Sequence, residues 1–116
     1  MSDCLFCKIV HKQIPAQVIY EDDHTVAFED IHPQAPTHTL VIPRTHVPDL
    51  KGLDDGHAEL LGHLMVAASQ VARAKGLAAF RTVINTGAEA GQTVFHLHLH
   101  LLAGRPMALH FVSQQA

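Results

Sequence analysis

One alternating segment near the carboxyl end constrains the fold of this chain more than any other: Phe95-His-Leu-His-Leu-His-Leu-Leu. In a β-strand, successive side chains point to opposite faces of the sheet. His96, His98 and His100 would therefore share one face, while the leucines between them would share the other face and enter the core. The segment predicts a strand over residues 95–102 with a row of three imidazoles on one side.

The rest of the chain predicts an α+β fold with a mostly antiparallel sheet. Further strands are predicted where β-branched and aromatic residues cluster between turn formers, at residues 18–20, 25–28, 39–42 and 80–85. A long helix is predicted from Asp54 or Asp55 to Lys75, with Gly76 beyond its end, and a short helical segment is predicted within residues 3–11. This order of elements indicates a single domain over residues 1–116 rather than alternating βαβ units.

The charge and hydropathy of the chain argue against several classes of partner. There are 8 Lys and Arg against 11 Asp and Glu, which gives a formal net charge of −3. The basic residues are scattered, so nucleic acid is not an expected partner. The chain lacks an apolar run of about 18 residues and an N-terminal secretory signal, so we expect no membrane segment and a cytoplasmic protein.

The loop before the three histidines predicts an anion site. With 11 histidines among 116 residues, the spacing His-x-His-x-His is by itself a weak signal, and surface alternation also explains it. The preceding loop adds glycines whose backbone N–H groups can hold an anion, and Asn85 and Thr93 add side-chain hydrogen bonds. Together these groups predict a phosphate pocket that needs no metal ion or arginine.

These motifs stand in the order found in a known family. His96-Leu-His-Leu-His-Leu-Leu resembles the signature of the histidine triad (HIT) superfamily. Asp30-Ile-His-Pro-Gln-Ala-Pro-Thr-His-Thr-Leu-Val-Ile-Pro is similar to the central block of its Hint branch, the histidine triad nucleotide-binding proteins. Shorter matches at that branch's spacing are Gly62-His-Leu-Met, Asn85-Thr-Gly, Gly91-Gln-Thr-Val-Phe-His and Gly104-Arg.

The resemblance extends from about Cys4 to Arg105 and implies both a fold and a reaction. The implied fold is HIT-like, with a five-stranded antiparallel sheet, one long helix and a short N-terminal helix, paired into a homodimer. The implied reaction is hydrolysis of purine nucleoside phosphoramidates and acyl-nucleotides to nucleoside monophosphates such as AMP or GMP. It proceeds through a nucleotidyl-histidine and requires no cofactor.

The resemblance also implies roles for four residues in catalysis. His98 matches the nucleophile, a role that a neutral imidazole can fill near pH 7 because its ordinary pKa is about 6.5. His100 matches the histidine that contacts the phosphoryl oxygens, and we expect its protonated form to stabilise the oxyanion. His38 matches the histidine that orients His98. Thr93 stands where the family has Ser and keeps the hydroxyl that helps to protonate the leaving group.

Other positions match residues that contact the nucleotide. Asp30 and Ile31 match residues around the ribose and the base, and Asn85 and Gly91 match contacts on the phosphate side. The remaining expected nucleotide contacts lie in the last block, at Gln92, Val94 and His96.

The two cysteines suggest a metal site. Cys4 and Cys7 form a C-x-x-C pair, which supplies two of the four ligands that a structural zinc requires. His46 and His96 are candidates for the other two, since some members of the superfamily hold zinc in this way. The alternative is a pair of reduced thiols near hydrogen-bonded histidines.

Three other functions are compatible with the sequence. A dinucleoside polyphosphate hydrolase of the Fhit-like branch would keep the triad, although the block from Asp30 to Pro43 and the hydroxyl of Thr93 favour the phosphoramidate reaction. A nucleotide-binding regulatory or scaffold protein would keep the pocket and make turnover incidental. A single metal bound by all three alternating histidines ranks last, because alternate residues of an extended strand do not converge on one ion.

Overall fold

The computed structural model describes residues 3–107, and the tail from residue 108 onward lies outside them. Five strands form one antiparallel sheet in the order β1-β2-β3-β5-β4. The helices and strands in chain order are α1 (Leu5–Val10), β1 (Val18–Glu21), β2 (Thr25–Glu29), β3 (Thr37–Pro43), α2 (Ala58–Ala74), β4 (Arg81–Val83) and β5 (Leu99–Ala103). This architecture confirms the expected fold class.

The long helix α2 ends at Ala74, next to the predicted end at Lys75, but it begins only at Ala58, after the predicted caps Asp54 and Asp55. Asp54 caps a short 3-10 turn, Asp55–His57, which leads directly into α2, and His57 completes a capping box with Asp54. After the helix, Gly76 has φ +69°, a conformation that suits glycine at a helix carboxyl end. The buried stripe of α2 packs on one face of the sheet and consists of Leu64, Ala67, Ala68, Val71 and Ala72.

The sheet separates two apolar clusters. On one face, α2 covers the three leucines that alternate with the histidines, Leu97, Leu99 and Leu101. On the other face, the short helix α1 inserts Phe6, Ile9 and Val10 against β2 and β3. The alternation in the sequence therefore gives the expected result: the leucines lie on the α2 side and the histidines lie on the α1 side.

The strand predicted over residues 95–102 is wrong at its beginning, because β5 starts only at Leu99. Leu99 is paired with Val41, so the same register would place Leu97 opposite Pro43, which has no N–H group for the ladder. The backbone N–H of Leu97 instead donates to the carbonyl of Val47 at 2.7 Å. His96 and His98 thus lie in an irregular segment before β5, and the carbonyl of His96 accepts a hydrogen bond from the side chain of His98.

The sheet ends at a close approach between two loops. Gly104 follows β5 with φ +104°, and a Cβ atom added to it would lie 2.6 Å from Cβ of Pro36. Only glycine fits there, both for its backbone conformation and for its lack of a side chain. Within residues 3–107, no helix has the length and apolar character needed to cross a membrane.

Candidate active site

Three histidine rings lie side by side on the α1 face of the sheet. The ring centroids of His98 and His100 are 5.0 Å apart, and those of His100 and His38 are 5.1 Å apart. His100 lies on β5 opposite Leu40, and His38 lies two residues before Leu40 on β3. The triad in space is therefore His98, His100 and His38, whereas His96 belongs to a different cluster.

A backbone carbonyl determines which nitrogen of His98 carries a proton. Nδ1 of His98 lies 2.8 Å from the carbonyl oxygen of His96, and a carbonyl oxygen can only accept. Nδ1 therefore carries the proton, and in the neutral ring Nε2 presents a lone pair. Burial lowers the pKa of His98 below its ordinary value, so the neutral, nucleophilic form is favoured.

A chain of hydrogen bonds fixes the other two histidines in the same way. The backbone N–H of Gln34 donates to Nδ1 of His38 at 3.0 Å, so the proton of neutral His38 is on Nε2. That Nε2–H group lies 2.9 Å from Nδ1 of His100 and donates to it. The proton of neutral His100 is therefore on Nε2, where it can donate to a ligand.

This arrangement differs from two expectations for the triad. His38 supports His100 directly, rather than His98, because its Nε2 atom lies against His100. Burial, together with the neighbouring His98 and His38, lowers the pKa of His100 to about 4, so the ring is neutral near pH 7 and not protonated. His100 can still act as a hydrogen-bond donor because its tautomer is fixed.

A pocket of about 270 Å³ opens beside the triad. It is lined by His98 and His100 and by four of the residues expected to contact substrate, Asp30, Ile31, Thr93 and Val94. Its apolar wall includes Leu5, Phe6, Phe28 and Leu40. The pocket combines one nucleophilic nitrogen, one N–H donor, a hydroxyl and an apolar surface, which suits a phosphoryl group attached to a flat apolar ring.

Asp30 and Ile31, which line the pocket, lie in the loop between β2 and β3. Oδ1 of Asp30 accepts from the backbone N–H of His32 at 2.8 Å, while Oδ2 lies 3.4 Å from Nε2 of His38. Ile31 is 85% exposed, so its apolar side chain is available to cover a bound base. Asp30 therefore shapes the rim on which Ile31 stands.

Four expected nucleotide contacts lie outside this pocket lining: Asn85, Gly91, Gln92 and His96. Gln92 is buried, and its amide is committed to the backbone: Oε1 accepts from Gly87, and Nε2 donates to the carbonyls of Pro48 and Val94. Gln92 therefore holds the glycine-bearing loop in shape. Gly91 has φ +100° and approaches the side chain of Asn85, which places both within the same loop.

The sequence reasoning missed Phe6 and Gln34. The Phe6 ring is perpendicular to the ring of His98, with centroids 5.1 Å apart. Its burial follows from helical spacing with Ile9 and Val10, but spacing does not reveal the partner. Gln34 acts through its backbone N–H, and a residue type carries no signal for a role of that kind.

A second cluster joins both cysteines to two histidines. Sγ of Cys4 lies 3.4 Å and Sγ of Cys7 3.5 Å from Nδ1 of His96, and Nδ1 of His46 lies 3.2 Å from the same atom. Sγ of Cys7 is also 3.3 Å from Nδ1 of His46. All four candidate ligand atoms lie within 4.8 Å of one another. The structure thus brings together the four residues expected to hold zinc.

The donor chemistry of this cysteine–histidine cluster fits a zinc ion. Nε2 of His96 lies 2.8 Å from the carbonyl oxygen of Pro43, so Nε2 carries the proton and Nδ1 of the neutral ring offers its lone pair to the cluster. Burial lowers the pKa of His96 and favours this neutral form. Two sulfur and two nitrogen donors are a common set for structural zinc.

Comparison with known proteins agrees with this geometry. The family model described as HIT domain matches residues 11–107. The chain is 40% identical over 108 residues to the purine nucleoside phosphoramidase of Escherichia coli, with 91% of each chain covered. A HIT family hydrolase from Legionella pneumophila has a TM-score of 0.90 at 46% identity, over 92% of this chain and 97% of that one. A zinc-bound histidine triad family protein from Mycobacterium smegmatis has a TM-score of 0.79 at 38% identity, over 89% and 76%.

Proposed function

We propose that this chain, which belongs to the HIT domain family, is a nucleotide-binding hydrolase that cleaves purine nucleoside phosphoramidates and acyl-nucleotides. The products are a nucleoside monophosphate and an amine or a carboxylic acid. The reaction passes through a nucleotidyl-histidine on His98. The relative from Escherichia coli supports the phosphoramidate substrate, since it carries that activity in its name.

One observation carries the proposal: the two hydrogen-bond chains give His98 and His100 complementary Nε2 atoms in one pocket. The carbonyl of His96 leaves a lone pair on Nε2 of His98. The chain from Gln34 through His38 leaves a proton on Nε2 of His100. A nucleophile and a donor for the phosphoryl oxygens are what nucleotidyl transfer requires.

The proposed first step transfers the nucleotidyl group to the protein. Nε2 of His98 forms a bond to phosphorus while the bond from phosphorus to the leaving nitrogen breaks. The leaving nitrogen keeps the electron pair and takes the hydroxyl proton of Thr93, which lines the pocket, and the oxygen of Thr93 takes a proton from solvent in its place. The positive charge on the phosphorylated imidazole is stabilised by the bond from Nδ1–H to the carbonyl of His96.

The proposed second step releases the product. A water oxygen forms a bond to phosphorus, the bond from phosphorus to Nε2 of His98 breaks, and the water gives up a proton to solvent. His98 returns to its neutral tautomer, and the nucleoside monophosphate leaves. Splitting the reaction in this way avoids direct attack of water on the phosphoramidate.

The first experiment measures release of amine and AMP from adenosine 5′-phosphoramidate by the native chain and by His98→Ala. Both proteins are checked for folding by circular dichroism, and an acid-free quench followed by mass spectrometry detects the adenylylated chain. We expect turnover and an adduct only for the native chain. Equal turnover by both proteins would overturn the mechanism.

The same assay separates the other functions. Cleavage of diadenosine polyphosphates in preference to the phosphoramidate would favour the Fhit-like reaction. AMP binding with no turnover of either substrate would favour a regulatory or scaffold role.

We also propose that the cysteine–histidine cluster holds a structural zinc. The zinc-bound relative from Mycobacterium smegmatis and the inward Nδ1 atom of His96 support this assignment. Zinc would supply folding stability there and would not contact the reacting atoms. Elemental analysis of the purified chain is expected to find one zinc per chain, and a Cys4→Ser, Cys7→Ser variant is expected to have none; equal content in both would contradict the assignment.

We also propose that two copies of the chain form a homodimer. In the described sheet β4 is an edge strand, and strand edges present unpaired backbone groups. Exposed apolar side chains include Phe80 just before β4 and Met65 and Val66 on α2. Light scattering is expected to give twice the mass of the chain, and Val66→Glu is expected to lower it.

A further inference from the structure

The cysteine–histidine cluster and the active site share part of the chain. The ring of His96 belongs to the cluster, while its carbonyl oxygen accepts the proton on Nδ1 of His98. Phe6 lies between the two cysteines in sequence, and its ring stands perpendicular to that of His98 with centroids 5.1 Å apart. Two separate contacts therefore connect the cluster with the nucleophile.

The position of Phe6 depends on tertiary contacts, because α1 has only 6 residues. A helix this short is not stable by itself in water. Its first turn is held by Sγ of Cys4, which accepts from the backbone N–H of Cys7 at 3.3 Å, and both sulfur atoms contact the histidines of the cluster. The cluster thus anchors the chain on both sides of Phe6, through Cys4 at the N-cap of α1 and Cys7 within the helix.

The ring of Phe6 is buried in the apolar cluster on the α1 face of the sheet. Only 5% of the residue is exposed, and the ring contacts Phe28, with centroids 5.4 Å apart, in addition to His98 and His96. The edge-to-face geometry favours one orientation of a flat partner by a factor of up to about ten. Here the flat partner is the imidazole of His98, which must present Nε2 to phosphorus.

We propose that Phe6 is a positioning residue for His98, and that metal binding by Cys4, Cys7, His46 and His96 sets the place of Phe6. An occupied cluster then holds His98 in the orientation required for attack, and an empty cluster releases it. The kinetic consequence depends on the proposed hydrolase function, but the orientation of the His98 ring can be observed without any substrate.

The first arm of the test observes the His98 ring by NMR in protein labelled with ¹⁵N-histidine, with its signals assigned by comparison with His98→Gln. The zinc-loaded native chain is expected to show one tautomer with a slowly exchanging Nδ1 proton. Phe6→Leu is expected to speed exchange of that proton by about tenfold. Val26→Ala is the matched control, since Val26 is buried in the same apolar cluster and lies outside the pocket lining.

The control separates a specific contact from a general loss of packing. Val26→Ala is expected to leave the His98 signals unchanged. Equal effects of the two substitutions would overturn the role of Phe6, and so would native signals in Phe6→Leu. Phe6→Tyr keeps the ring and is expected to show the native signals, and altered signals in it would count against the role of the ring. If Phe6→Leu does not fold, Phe6→Met removes the ring with less loss of volume and takes its place in the comparison.

The second arm removes the metal from the native chain with a chelator. The His98 signals are expected to shift toward those of Phe6→Leu, while the same treatment of Phe6→Leu is expected to change them little. Unchanged signals in the native chain, or equal shifts in both proteins, would overturn the coupling.

A kinetic measurement adds a third arm. With phosphoramidate as substrate, Phe6→Leu is expected to lower kcat about tenfold and to change KM much less. A chain that shows the NMR effects without turnover would refute the proposed function and keep this inference.

Discussion

Nε2 of His38 donates to Nδ1 of His100 over 2.9 Å, and the backbone N–H of Gln34 leaves no other assignment for the proton of neutral His38. The tautomer of His100 is therefore determined through His38 by the backbone of a loop residue, Gln34. The triad works as two units: His98 depends on the carbonyl of His96, and His100 depends on His38.

The first prediction concerns this division. His38→Phe removes the donor to His100, so the proton of the neutral His100 ring is no longer held on Nε2. We expect kcat to fall about tenfold, which is less than the fall caused by removing a direct oxyanion donor. His38→Gln places an amide N–H near the position of Nε2 and is expected to recover part of the activity. A native kcat in His38→Phe would contradict the donor chain.

The second prediction concerns stability at acid pH. In the folded protein the pKa of His100 is lowered from 6.5 to about 4, mainly by burial. Between these values the unfolded chain binds a proton that the folded chain does not, so stability is retained above about pH 6.5 and falls toward pH 4. Urea denaturation at a series of pH values should show a steeper fall for the native chain than for His100→Asn. Parallel curves would rule out this contribution.

The third prediction concerns the rim of the pocket. Ile31 is 85% exposed, so Ile31→Ala removes apolar contact with a bound base and costs little stability. We expect KM for the phosphoramidate to rise about fivefold with the melting temperature unchanged. Leu50→Ala, at another exposed apolar residue away from the pocket, serves as the control and should leave KM unaltered.

The fourth prediction distinguishes a loop-forming role from a ligand-binding one. Gln92→Met keeps the volume and leaves the N–H of Gly87 and the carbonyls of Pro48 and Val94 without their amide partner. We expect a loss of about 2–4 kcal/mol of unfolding free energy, measured with urea. A variant as stable as the native chain but weaker in AMP binding would instead return Gln92 to the nucleotide site.

The sequence predicted the fold well because its strongest signals are local. The alternation of histidine and leucine fixed the faces of β5, and the cap at Asp54 and the glycine at Gly76 fixed α2. The beginning of β5 was missed because it depends on Pro43, which stands far away in the chain and would pair with Leu97. A strand boundary that is set by its partner cannot be read from the strand itself.

The site was predicted in part for a similar reason. Residue types identified His98, His100 and Thr93 as lining residues, and the structure places all three in one pocket. Three features are relations between distant residues: the pairing of His38 with His100, the bond from Gln92 to the carbonyl of Pro48 and the contact of Phe6 with His98. A motif gives the chemical groups that are present, whereas their hydrogen-bond partners follow only from the fold.

The contact between Gly104 and Pro36 has a consequence for how this protein can diverge. Pro36 lies in the loop that leads from Asp30 to His38, so a side chain at position 104 would push on the segment that carries Asp30 and Ile31, which line the pocket. Base preference could therefore shift through a residue that never meets the ligand. A search for altered selectivity should include the exit from the last strand as well as the residues that surround the nucleotide.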